Sequence, residues 1–75
     1  MNMAANISEF KSVTAVPVLL AEARRSKGYS LDDMAETSGL TVSEIVALES
    51  GKDKDRQHIR RMGSALGLPP AALGI

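Results

Sequence analysis

Two helix-start signatures stand close together in this chain, with a glycine between them, and they constrain its fold most. Ser30-Leu31-Asp32-Asp33 and Thr41-Val42-Ser43-Glu44 each place a hydroxyl three residues before an acid. That spacing lets the hydroxyl and the carboxylate satisfy each other's backbone N–H groups at the first turn of a helix, with Asp replacing the usual Glu in the first box. Ser38-Gly39-Leu40 separates the two segments, and Gly51 closes the second. Gly39 permits a positive φ at the junction, so the second helix can swing across the first. Helices this short are unstable alone and must pack on their neighbours.

The flanking sequence supplies those neighbours. A first helix starts near Pro17, since a proline suits a first turn whose N–H groups lack partners anyway. Its apolar stripe is Leu19, Leu20 and Ala23, and Gly28 is the expected cap after Arg24, Arg25 and Lys27. The second helix turns Met34 and Ala35 inward; the third turns Ile45 and Leu48 inward, with Leu40 just ahead. Asp53 to Asp55 read as a polar link. A fourth helix runs from about Arg56 to Leu66 with Ile59, Met62 and Leu66 inward, and ends at Gly67. Pro69 and Pro70 break it, leaving one more short turn over Ala71 to Leu73. No stretch alternates apolar and polar residues over strand length, so the class is all-α with four to five short helices. Residues 1–14 read as a flexible arm, in which Asn6 and Glu9 suit one capped turn and Ile7, Phe10 and Val13 recur at spacing three. Residues 15–75 then form the domain, with the two-helix unit at about 30–51.

Composition narrows the function classes. The chain has 75 residues, of which 44% are hydrophobic, which suits one small folded domain. One Phe, one Tyr and no Trp leave an aliphatic core. Cysteine is absent, which excludes a disulfide framework and a thiolate metal site and fits a reducing, cytoplasmic setting. No apolar run is long enough to span a bilayer, and residues 1–16 lack a signal peptide's basic start and apolar middle. Nine basic residues balance nine acidic ones, so net charge gives no argument for nucleic acid. No nucleophile–base pair and no glycine-rich phosphate loop appears, and an enzyme is not expected. His58 is the lone histidine, so no metal site or cofactor is expected, and it reads as an exposed helix residue.

The stretch from Leu20 to Leu68 resembles the Cro/C1-type (XRE-like) helix-turn-helix family. The matching residues are Arg24, Gly28, Ser30, Met34-Ala35, Gly39-Leu40, Ile45, Leu48-Glu49-Ser50-Gly51 and Ala65-Leu66-Gly67-Leu68. The resemblance implies a Cro/C1-repressor-like fold whose third helix is the recognition helix. It also implies a structural ion pair between Arg24 and Glu49.

The departures from that pattern bear on function. DNA-binding members often carry a Gln at the second position of helix two, where it grips a phosphate; here it is Leu31. The outward set of the recognition helix is Val42, Ser43, Glu44, Val46, Ala47 and Ser50. From Thr41 to Ser50 there is no Lys, Arg, Gln or Asn, the side chains that pair bidentately with base edges. Glu44 and Glu49 add negative charge where phosphates would approach. Leu31, Val42, Val46 and Ala47 read either as part of the core or as an apolar patch for a protein partner. Lys52, Lys54, Arg56, Arg60 and Arg61 form a basic run with Asp53 and Asp55 interleaved. It reads as a solvated helix start, as a phosphate clamp, or as an electrostatic rim for an acidic partner.

Three functions follow. The first is a degenerate helix-turn-helix that acts by protein contact as an antiactivator. The chain is similar in this to the small (QseM-like) antiactivators that restrain quorum sensing and transfer of conjugative elements, whose partners would be a LuxR-type activator and an activator with its own helix-turn-helix-like domain. The second is an operator-binding DNA repressor or excision regulator of the Cro/C1 type. The third is an antitoxin module. None requires a membrane or a small-molecule substrate.

Overall fold

A computed structural model describes residues 15–75, and these form four α-helices and a 3-10 turn, with no strand among them. The helices are α1 (Val16–Ser26), α2 (Leu31–Ser38), α3 (Val42–Ser50) and α4 (Arg56–Ala65); the 3-10 turn is Pro70–Leu73. The arm expected over residues 1–14, with its Ile7, Phe10 and Val13, lies outside the described residues.

Both capping boxes form. The Ser30 hydroxyl accepts from the Asp33 amide at 3.0 Å, and the Asp33 carboxylate accepts from the Ser30 amide at 3.0 Å. Thr41 and Glu44 repeat the exchange at 3.0 and 2.9 Å. Each cap satisfies donors that would otherwise lack partners, and removing one typically costs about 0.5–2 kcal/mol. The first box also fixes a charge. Hydrogen bonds from the Ser30 amide and hydroxyl hold the Asp33 carboxyl below its ordinary value. Gly39 and Gly51 terminate α2 and α3 at φ 77° and 83°, the left-handed region that a side chain rarely enters without cost.

The helix ends follow the sequence reading to within a residue. Helix α1 starts at Val16 and closes through Lys27 onto Gly28, which takes φ 75°. Helix α4 ends at Ala65 and closes through Leu66 onto Gly67 at φ 76°. Its start is sharper than a polar link suggests: Asp55 is a true N-cap, its carboxylate accepting from the Gln57 and His58 amides at 2.8 and 3.1 Å.

The core is aliphatic. Leu20, Met34, Ile45, Leu48 and Met62 are fully buried, and Leu40, Leu66 and Leu73 close around them. Every helix thus contributes at least one side chain. Helix α3 touches α1, α2 and α4, so it is held from three sides and keeps one free face. Gly63 of α4 lies under the 3-10 turn, where a Cβ would come within 2.3 Å of Leu73 Cδ1.

Candidate functional site

The free face of α3 is set by its helical period. Ile45 and Leu48 point into the core, which turns Val42, Ser43, Val46 and Ser50 out to solvent. Val42 is 36% exposed and Val46 47%, two of the three large hydrophobics that stand out from the surface among the described residues, the third being Val18 on α1. Glu44 and Ala47 are half-buried at the edges of this face.

Two expected members sit differently. Leu31 is half-buried and packs against the core, because the first turn of α2 leans on it; it is not a free apolar group beside Val42. Glu49 does not add charge to the outward face. Its carboxylate turns back to Arg24 of α1, Nε at 2.6 Å and Nη2 at 3.2 Å, with both side chains nearly buried. The hydrogen bond to Glu49 raises the Arg24 pKa against the opposing effect of burial. Arg24 also donates from Nη1 to the Tyr29 carbonyl at 2.8 Å, tying α1, α3 and the segment before α2 together. The pair implied by the family resemblance is therefore made, and it is structural.

The basic residues are all exposed but do not form one band. Lys52 and Lys54 lie on the link after α3, and Arg56 opens α4. Arg61 reaches the turn between α2 and α3, with Nη1 3.9 Å from where a Cβ on Gly39 would stand. Arg60, one residue earlier and about 100° around the helix, lines a groove with Ser64, Leu68, Pro69, Pro70 and Leu73.

His58 is not the exposed residue expected. It is about two-thirds buried, with Nδ1 2.6 Å from Asp53 Oδ2 and Nε2 3.7 Å from Glu44 Oε2. The hydrogen bond to Asp53 raises the His58 pKa above its ordinary value, with Asp55 and Glu44 adding to it. The same bond, with a second from the Asp55 amide, lowers the Asp53 carboxyl. The one hint in the sequence was the spacing of Asp53 and Asp55 before His58, which suits an N-cap and its neighbour.

A family model described as helix-turn-helix matches residues 20–73, nearly all of the folded part. The chain belongs to the Cro/C1-type helix-turn-helix family. This is a family of DNA-binding regulatory domains, not of enzymes, and the chain is a small transcriptional regulator. No curated protein and no solved structure matches it. In helix-turn-helix terms α2 and α3 are the paired helices and α3 is the recognition helix. No described helix is long and apolar enough to cross a membrane.

Proposed function

We propose that this helix-turn-helix protein is an antiactivator, which restrains a transcriptional activator by contacting it through the outward face of α3. The observation that carries the reading is the chemistry of that face. It offers two exposed valines flanked by Ser43, Ala47 and Ser50, and no Lys, Arg, Gln or Asn from Val42 to Ser50. Base edges are read by hydrogen bonds that each discriminate by about 1–3 kcal/mol, and these side chains offer almost none. Apolar side chains ringed by polar ones suit the centre of a protein interface, where truncation costs most. The fitting partner is an activator of the LuxR type or one with its own helix-turn-helix-like domain, in the control of quorum sensing and conjugative transfer.

The operator-binding reading rests on a different observation, the exposed Lys52, Lys54 and Arg56 that follow the recognition helix, with Arg60 and Arg61 further along α4. Phosphate contacts of that kind bind DNA with a strong salt dependence.

One paired experiment separates the two. The purified protein is used to pull down candidate activators, and in parallel is titrated onto the neighbouring promoter at low and high salt. The antiactivator reading expects capture of an activator, lost in Val46→Asp, and no sequence-specific shift. A salt-sensitive, sequence-specific shift with no activator recovered overturns it in favour of an operator-binding repressor.

A further inference from the structure

His58 joins the first turn of the recognition helix to the start of α4. On one side its Nδ1 meets Asp53 at 2.6 Å, and Asp53 is itself anchored by accepting the Asp55 amide at 2.9 Å and by its own amide donating to the Ala47 carbonyl at 3.0 Å. On the other side its Nε2 faces Glu44, the residue that caps α3 by accepting the Thr41 amide. We infer that His58 is the positioning residue of the α3 face, and that a proton on its Nε2 draws Glu44 inward and makes the face pH-responsive. This rests on the reading of α3 as the working surface.

The argument is one of donors and acceptors. A ring nitrogen 2.6 Å from an ionised carboxylate must carry the hydrogen, so the neutral ring is the Nδ1–H tautomer. Its Nε2 then turns a lone pair toward the Glu44 carboxylate, and among the described residues only the Thr41 amide holds that side chain inward. Protonation converts the lone pair into an N–H facing a carboxylate 3.7 Å away, an attraction within ion-pair reach. The bond to Asp53 survives in both states; only the link to Glu44 switches. Besides Asp53 on the link and Glu44 on α3, the charge bearing on the ring is Asp55, the N-cap of its own helix. Arg61, one turn further along α4, points its guanidinium toward Gly39 instead. Among the described residues no charged group of α2 or the 3-10 turn bears on the ring. The protonated form therefore leaves the edge of the α3 face one charge less negative and its first turn held from two sides.

The test uses the whole chain in solution, without a partner. The His58 ring nitrogens, the Glu44 carboxyl carbon and the amides of Thr41 to Ile45 are followed by NMR from about pH 5.5 to about pH 8.5, a range that brackets ordinary histidine. The Thr41 and Glu44 amides are expected to shift with the same midpoint as the ring, and that midpoint to lie above 6.5. Glu44→Gln keeps a capping acceptor and lowers the midpoint. His58→Asn keeps a donor for Asp53, cannot titrate, and abolishes the pH response of the first turn. Amides that ignore the ring titration, or a midpoint unchanged in Glu44→Gln, overturn the inference. Since no partner takes part, this result and the capture of an activator succeed or fail separately.

Discussion

Arg24 and Glu49, far apart in the chain, meet through two hydrogen bonds that clamp the recognition helix to α1. Both side chains are more than four-fifths covered, so truncating one strands the other's charge away from water. A stranded group of this kind costs about 1–3 kcal/mol. Glu49→Ala is therefore expected to lower stability by about that much. Glu44→Ala, which loses a partly exposed capping contact, should lower it less. Thermal melts of the two variants check this, at roughly 4–8 °C per kcal/mol in a domain this small, and equal melting temperatures would contradict it.

Val46 and Leu31 separate a surface role from a structural one. Val46→Asp places a charge on a half-exposed position and should leave stability within about 0.5 kcal/mol while abolishing regulatory activity. Leu31→Asp pushes a charge against the core and should cost stability as well. Melts run beside a reporter assay distinguish them. A Val46→Asp protein that folds and regulates normally would remove this face from the function.

The His58–Asp53 pair predicts a stability plateau with two sides. His58 has a raised pKa, so its contribution is complete below the unfolded value of 6.5 and is lost as pH rises through the folded one. Asp53 has a lowered pKa, so its contribution is complete above 3.8 and is lost as pH falls through the folded value. Asp33, capped to Ser30, adds to the acid side in the same sense. Urea unfolding across pH should show both limbs for the native chain. His58→Asn should remove the alkaline limb and shrink the acid one, and a native chain with no alkaline limb would refute the assignment.

Gly63→Ala tests how the C-terminal turn docks. The added methyl would come within 2.3 Å of Leu73 Cδ1, the end of a buried side chain, so Leu73 must rotate within its site or the turn must lift off α4. Overpacking of this kind costs about 1–3 kcal/mol. Amide exchange should quicken around Leu73 before it does around Ile45. Unchanged exchange at Leu73 would mean the turn accommodates the methyl without moving.

Much of this was legible in advance because it is local or periodic. The two capping boxes sit within four residues each, and their glycine stops follow from φ alone. Leu20, Met34, Ile45, Leu48, Met62 and Leu66 recur at helical spacing and fill the core as that spacing predicts. The outward valines of α3 follow from the same period. The contacts that escaped are those made across elements. His58 meets Glu44 across the link after α3, which folds back with the Lys52 and Asp53 amides on the Ala47 carbonyl, and no periodicity encodes that. Gly63 carries no signal in the sequence, and its role shows only in Leu73 lying over it. Leu31 read as either core or surface patch, and only its packing against the buried cluster decides between them. Arg60 and Arg61 are adjacent in sequence and so looked like one patch, but a helix sends neighbours in different directions.

Four outward positions of α3 take no part in the caps, the core or the clamp to α1, which use Thr41, Glu44, Ile45, Leu48, Glu49 and Gly51. Positions 42, 43, 46 and 50 are thus open to change by single substitutions that leave the framework intact. A lineage built on this scaffold can exchange a nucleic-acid ligand for a protein one, or return, in a few steps that selection sees only through binding.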